Sequence, residues 1–205
     1  MRDMGKRNID LRTQLAHEAA RIMAEQGIRD YGLAKRKAAE RHGSGDERDL
    51  PSNREIEAAL RDYQRLFQSS SQPQRLHQLR TVAVEAMRFL ARFEPRLVGA
   101  VLEGTADQHS AVCLHLFDDD PSAVPRFLDE QHIPYDEDDR VLRWSRHESN
   151  EYPVLRFDAD DNTIDLTLLP RSGLRQAPMS RTSDAPMQRA SLNAVLTLLA
   201  REASP

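Results

Sequence analysis

The apolar residues of this chain change their spacing once, and that change limits the folds open to it. Up to about residue 93 they recur every three or four positions; from Leu97 onward they fall into short runs that alternate with polar residues. A helical period followed by a two-residue period implies helices first and a sheet after. In the first part, Leu11, Leu15, Ala19, Ile22 and Met23 mark an amphipathic helix from Asp10 to Gln26, stopped at Gly27. A second helix is expected from about Tyr31 to His42, ending at Gly43, and a third after the Ser52/Glu55 capping-box pattern, running to about Phe67. Residues 43–50 read as a polar loop. The stretch Gln68-Ser69-Ser70-Ser71-Gln72-Pro73 has linker composition, which places a junction near residues 69–73. The expected organisation is a helical segment over 1–70 and an α+β domain over 71–205. The latter opens with a long helix whose apolar positions run from Leu76 to Phe93.

Strands are expected at about 97–103, 111–117, 140–146, 152–158 and 163–169, with a helix over 122–131 between the second and third. A last helix should span roughly 189–201. The run Asp158-Ala159-Asp160-Asp161-Asn162 suits a tight hairpin turn, because Asp and Asn side chains satisfy nearby backbone groups. Asp118 to Asp120 should end a strand and favour the N-terminus of the helix that follows, and Asp136 to Asp139 read as a solvated loop.

Charge divides the chain as the period does. Met1 to Arg96 carries 19 basic and 14 acidic residues, whereas Leu97 to Pro205 carries 10 basic and 19 acidic, summing to the net −4 of the whole. A basic helical half can meet phosphate or an acidic partner. Four basic residues of the second helix, Lys35, Arg36, Lys37 and Arg41, are candidates for nucleic-acid contact. They equally suit a solvated helix face or a surface for an acidic protein. The single cysteine, Cys113, rules out an intrachain disulfide and a Cys-rich zinc site and suits a reducing cytoplasm. No apolar run reaches the ~18 residues of a membrane span, so no membrane partner is expected. There is no Gly-x-x-x-x-Gly-Lys-Ser/Thr phosphate loop.

The chemistry-bearing residues gather around the strand at 111–117. Gly104-Thr105 precedes it, Ser110 opens it, and Asp165 sits on a later strand between Ile164 and Leu166. A carboxylate in that position costs several kcal/mol if it is buried alone, so Asp165 should have a partner. That order of elements resembles the nucleotidyltransferase superfamily, over roughly residues 76–170. The resemblance implies a mixed sheet with flanking helices. It also implies a triphosphate-holding turn, here Gly104, Thr105 and Ser110, and a carboxylate set that binds Mg²⁺ or Mn²⁺ with a nucleoside triphosphate. An Asp-x-Asp pair belongs on the strand after the turn in that family, and Ala111 and Cys113 stand in its place. Asp165 matches the third carboxylate, with Asp107 and Asp118 as possible further ligands. One carboxylate cannot hold two ions. The chain as a whole is also similar to a group of uncharacterised proteobacterial proteins. That likeness lies in Leu-Pro-Ser-Asn-Arg-Glu-Ile-Glu at 50–57, Ala-Met-Arg-Phe-Leu-Ala-Arg-Phe-Glu-Pro-Arg-Leu-Val-Gly at 86–99 and Ile-Asp-Leu-Thr at 164–167.

Three functional readings follow. The first is a divergent, catalytically impaired nucleotidyltransferase-like protein with a binding or regulatory role. The second is an active metal-dependent nucleotidyltransferase using Asp165 as catalytic carboxylate with Asp107 or Asp118. The third is a nucleic-acid-binding module working through Lys35, Arg36, Lys37 and Arg41.

Overall fold

The computed structural model describes residues 2–43, 49–183 and 185–202. The protein is α+β, with helices first and a five-stranded mixed sheet after. By its internal contacts the chain forms two compact units. One comprises Met1–Gln72 with Arg181–Ser183; the other comprises Pro73–Ser180 with Asp184–Pro205.

In the first unit, α1 (Arg2–Gln26) packs against both α2 (Tyr31–His42) and α3 (Asn53–Phe67). It begins eight residues before Asp10, where the apolar period starts. Leu15, Ala19 and Ile22 of α1 meet Ala34 and Ala38 of α2 and Ile56 and Leu60 of α3 in one apolar cluster. Asp30 caps α2 by accepting from the Leu33 N–H, and Gly43 closes it in the left-handed region at φ 65°. Ser52 and Glu55 form the capping box of α3: the Glu55 N–H donates to Ser52 Oγ and the Ser52 N–H to Glu55 Oε2. Most of the loop expected over 43–50 lies outside the described residues.

The linker expected at 68–73 is short. Only Gln68, Ser69 and Ser70 separate α3 from α4 (Ser71–Phe89). Pro73 does not prevent this start, since it falls in the first turn, where N–H groups have no intrahelical acceptor. A 3-10 turn (Ala91–Phe93) leads into β1 (Arg96–Val98). The strand expected over 97–103 ends there, and Ala100–Glu103 form a single helical turn, α5. The break is at Gly99, whose φ of 70° with ψ of −154° is a conformation that essentially only glycine adopts. A short apolar run does not by itself separate strand from buried helix, and Leu97 to Leu102 contains both.

After β2 (Val112–Phe117) and α6 (Ala123–Glu130) come β3 (Asp136–Arg143), β4 (Ser149–Ala159) and β5 (Asn162–Leu169); α7 (Leu192–Glu202) is last. Asp136 to Asp139, expected as a loop, open strand β3. This is an edge strand exposed along most of its length, so it needs no apolar alternation, and charge on an edge deters pairing with other chains. The β4–β5 hairpin turns at Asp160 (φ 46°) and Asp161 (φ 61°), two residues in the left-handed region that short hairpins require.

The strand order is β1-β2-β5-β4-β3, with β2 and β5 parallel and the other pairs antiparallel. One face carries Leu97, Val112, Leu114, Leu116, Ile164, Leu166 and Leu155 and is covered by α4, α6 and α7 through Leu79, Met87, Leu128 and Val195. The other face is the one that positions the candidate site. Among the described residues no helix is long and apolar enough to cross a membrane.

Candidate functional site

Register alone assembles the second face. Paired residues on neighbouring strands point the same way, so Cys113 of β2, Asp165 of β5 and Arg156 of β4 form one row. The next row is Arg96 of β1, His115, Thr167 and Val154. Phe117 and Leu169 form a third, which joins Leu142, Trp144, Tyr152 and Leu174 in a small apolar cluster. The face is therefore polar at one end and apolar at the other.

Asp165 is the centre of the polar end. Arg140, reaching across from the edge strand β3, grips both of its oxygens: Nη1 donates to Oδ1 and Nη2 to Oδ2, each at 2.8 Å. Arg156 Nε donates to Oδ2 at 2.9 Å. Arg140 Nη1 also donates to Thr167 Oγ1 at 2.8 Å, and Arg156 is shared with Asp138 at 2.8 Å. Burial pushes the Asp165 carboxyl up, but the hydrogen bonds and charges of Arg140 and Arg156 outweigh it and hold the group below the ordinary aspartate value. Asp165 is thus an ionised, fully engaged carboxylate with two cations beside it, an environment that repels a divalent ion. The partner that a carboxylate between Ile164 and Leu166 demands is this arginine pair. Neither arginine stands out in the sequence, because β4 pairing, not proximity along the chain, brings Arg156 to Asp165, and Arg140 comes from one strand further.

The other proposed metal ligands lie apart from it. Asp107 precedes β2 in a tight turn, where its Oδ1 accepts from the His109 N–H at 2.9 Å and from Ser110 Oγ at 3.3 Å. Asp118 follows β2, five residues past the Cys113 that is level with Asp165, or roughly 16 Å along the strand. Its Oδ1 accepts from the Asp120 N–H, and Asp120 in turn accepts from the Ser122 N–H at the start of α6. Asp118 and Asp120 line a cleft of about 280 Å³ with Arg92, Arg126, Phe127 and Glu130, away from Asp165. Among the described residues no group of three or more His, Cys, Asp or Glu side chains is placed to hold a metal ion.

The turn expected to hold a triphosphate is closed on itself. Gly104 caps α5 at φ 82°, and the N–H groups of Gly104, Thr105 and Ala106 all donate to the carbonyl of Ala100 at 3.0–3.1 Å. The Ser110 N–H donates to the Asp107 carbonyl, and Ser110 Oγ accepts from the Asp107 N–H at 2.9 Å. A phosphate cradle presents N–H groups outward, and these are turned inward.

His115 is the residue that the alternation of β2 leaves on the polar face and the resemblance gives no role. It is 1 % exposed, and its Nδ1 has no hydrogen-bond partner. Burial, and then the charges of Arg189 and Arg140, lower its pKa to about 3, so it is neutral at physiological pH. Cys113 is a half-buried thiol level with Asp165.

The four basic residues of α2 do not form one exposed strip. Arg41 donates to Glu18 of α1 at 2.6 Å, Lys37 to Gln26 at 3.3 Å, and Lys35 is half-buried, which lowers its pKa. Arg36 is exposed.

No protein-family model, curated protein or solved structure matches the chain.

Proposed function

We propose that the protein is a divergent nucleotidyltransferase-like protein of the cytoplasm that binds without turning over. The observation that carries this reading is the state of Asp165. The carboxylate corresponding to the superfamily's third metal ligand is clamped by Arg140 and Arg156, while Ala111 and Cys113 occupy the positions of the Asp pair. Two-metal transfer needs several carboxylates free to hold ions ~3.5–4 Å apart. A guanidinium pair in the same place does the opposite: it fixes the strand order β5-β4-β3 through ionic hydrogen bonds and leaves no ligand for a metal. The inward-turned N–H groups of Gly104 and Thr105 support the same conclusion.

The test is transfer itself. Purified protein is incubated with each labelled nucleoside triphosphate, with Mg²⁺ or Mn²⁺, and label on the protein or on added acceptors is counted. The expected result is no incorporation. Metal-dependent incorporation that is abolished in Asp165→Asn would overturn the reading and put the active enzyme, with Asp107 or Asp118 as further ligands, in its place.

A further inference from the structure

The polar face has a second cluster of charge that Asp165 does not neutralise. The segment before α7 adds to the open edge of β1 through a bridge in which the Leu97 and Ala190 N–H groups and carbonyls exchange hydrogen bonds at 2.9 Å. That antiparallel bridge sets Leu97 and Ala190 on the apolar face, so Arg96 and Arg189, one residue away on each side, fall on the polar one. Arg96 is directly across from His115 in the β1–β2 register.

Both guanidinium groups are half-buried, and neither has a carboxylate partner among the described residues. Arg189 donates from Nη1 to the Gly173 carbonyl at 2.6 Å and from Nη2 to the Leu174 carbonyl at 3.0 Å, and lies over the Phe117 ring at 5.5 Å. Arg96 Nη1 donates to the carbonyls of Glu94 and Pro95 at 3.0 and 3.1 Å. The Glu94 carboxylate is taken by Arg171 at 2.9 Å. Backbone carbonyls thus fix the two cations in orientation without cancelling their charge, and donors remain on each. Burial lowers the pKa of Arg189, and the like charge of Arg96 nearby lowers it further. Every other partly buried cation on this face, Arg140 and Arg156, has a carboxylate.

We propose that Arg96 and Arg189, with the His115 imidazole beside them, form a binding site for a phosphate-type oxyanion, either free or as a monoester. A tetrahedral dianion relieves the repulsion between the guanidiniums and accepts their remaining N–H groups. It also offers an acceptor to the Nδ1–H tautomer of the buried, unpartnered His115, which otherwise bears the cost of an unmade hydrogen bond. This goes beyond the reading of a protein without turnover and does not need the nucleotidyltransferase resemblance; either can fail while the other stands.

The experiment is a titration of the full chain with inorganic phosphate, and separately with glycerol phosphate, in chloride buffers of matched ionic strength. The melting temperature and the histidine ring signals in ¹H–¹⁵N NMR are followed together. A saturable rise in melting temperature is expected, with a shift of the ring signals that disappear in His115→Gln. Arg96→Gln and Arg189→Gln should each weaken binding about tenfold or more, while Arg65→Gln, on the exposed face of α3, leaves it unchanged. Tighter binding of glycerol phosphate assigns the ligand as a monoester, and equal binding assigns the free ion. A rise that never saturates and is equal in all variants is the general stabilisation by excluded salts and overturns the proposal. If the arginine variants do not fold, the wild-type titration decides: phosphate that leaves the His115 ring signals unmoved overturns it equally.

Discussion

The two faces of the sheet solve burial differently. The face toward α4, α6 and α7 is uniformly aliphatic and is held by area removed from water, which is non-directional and tolerates substitutions of similar volume. The opposite face buries Asp165 at 4 % exposure and Thr167 at 0 % in directed pairs with Arg140 and Arg156 that fail when one member is lost, and it buries His115 at 1 % with its Nδ1 unmet. The lesson is that a buried carboxylate on a sheet is not by itself a site. Its meaning depends on whether the neighbouring strands bring it other carboxylates or, as here, arginines.

This contrast gives graded expectations. The largest effect is expected from Asp165→Ala, which leaves the partly buried Arg140 without its carboxylate, and Arg156 with Asp138 alone, and should cost about 3–5 kcal/mol in urea unfolding. The paired replacement Arg140→Met with Asp165→Leu should recover most of that loss, because it removes both charges; no recovery would show that the pair contributes more than mutual neutralisation. Next, Leu114→Ala on the aliphatic face should cost about 3 kcal/mol, while Leu114→Met should cost less than about 1.5 kcal/mol in the same measurement. No conservative exchange at Asp165 should be tolerated so well.

The third expectation concerns pH. His115 has a folded pKa of about 3, below its unfolded value, so the unfolded chain takes up a proton that the native one refuses. Its contribution is complete above the unfolded value and is lost as pH falls toward 3, at about 1.4 kcal/mol per pH unit. Asp165, with its depressed value, adds a loss of the same sign at the acid end. Comparing Asp165-intact proteins with and without His115→Gln between pH 7 and pH 4 isolates the histidine: the variant should show the shallower slope. The smallest effect is expected for Thr167→Val, which removes the acceptor of one Arg140 hydrogen bond and should cost about 1 kcal/mol.

Sequence patterning reached the aliphatic face well and the polar face poorly, for a physical reason. Val112, Leu114 and Leu116, like Ile164, Leu166 and Leu168, alternate strictly because one side of each strand is covered by helices, and alternation is visible along the chain. The capping box at Ser52 and Glu55 and the Gly43 stop are equally local and equally legible. The first half of β3, Asp136 to Asp139, escaped because an exposed edge strand needs no apolar side, and the turn Ala100–Glu103 because Gly99 redirects the backbone inside a continuous apolar run. At the candidate site, Asp165 was legible as a carboxylate in need of a partner. Arg140 and Arg156 were not, since they reach it through strand pairing across 25 and 9 residues of chain. Arg189 joins Arg96 only through the bridge at Ala190, which no local pattern announces.

The central claim is that the Asp165 carboxylate is committed to arginines and holds no catalytic metal. The most direct test is the melting temperature of the purified protein with each nucleoside triphosphate, in the presence and absence of Mg²⁺ or Mn²⁺, for wild type and Asp165→Asn. A ligand at 100 times its dissociation constant would stabilise by ~2.7 kcal/mol, well within reach of the method. The account predicts that any shift is independent of the metal. A metal-dependent upward shift that vanishes in Asp165→Asn would contradict it.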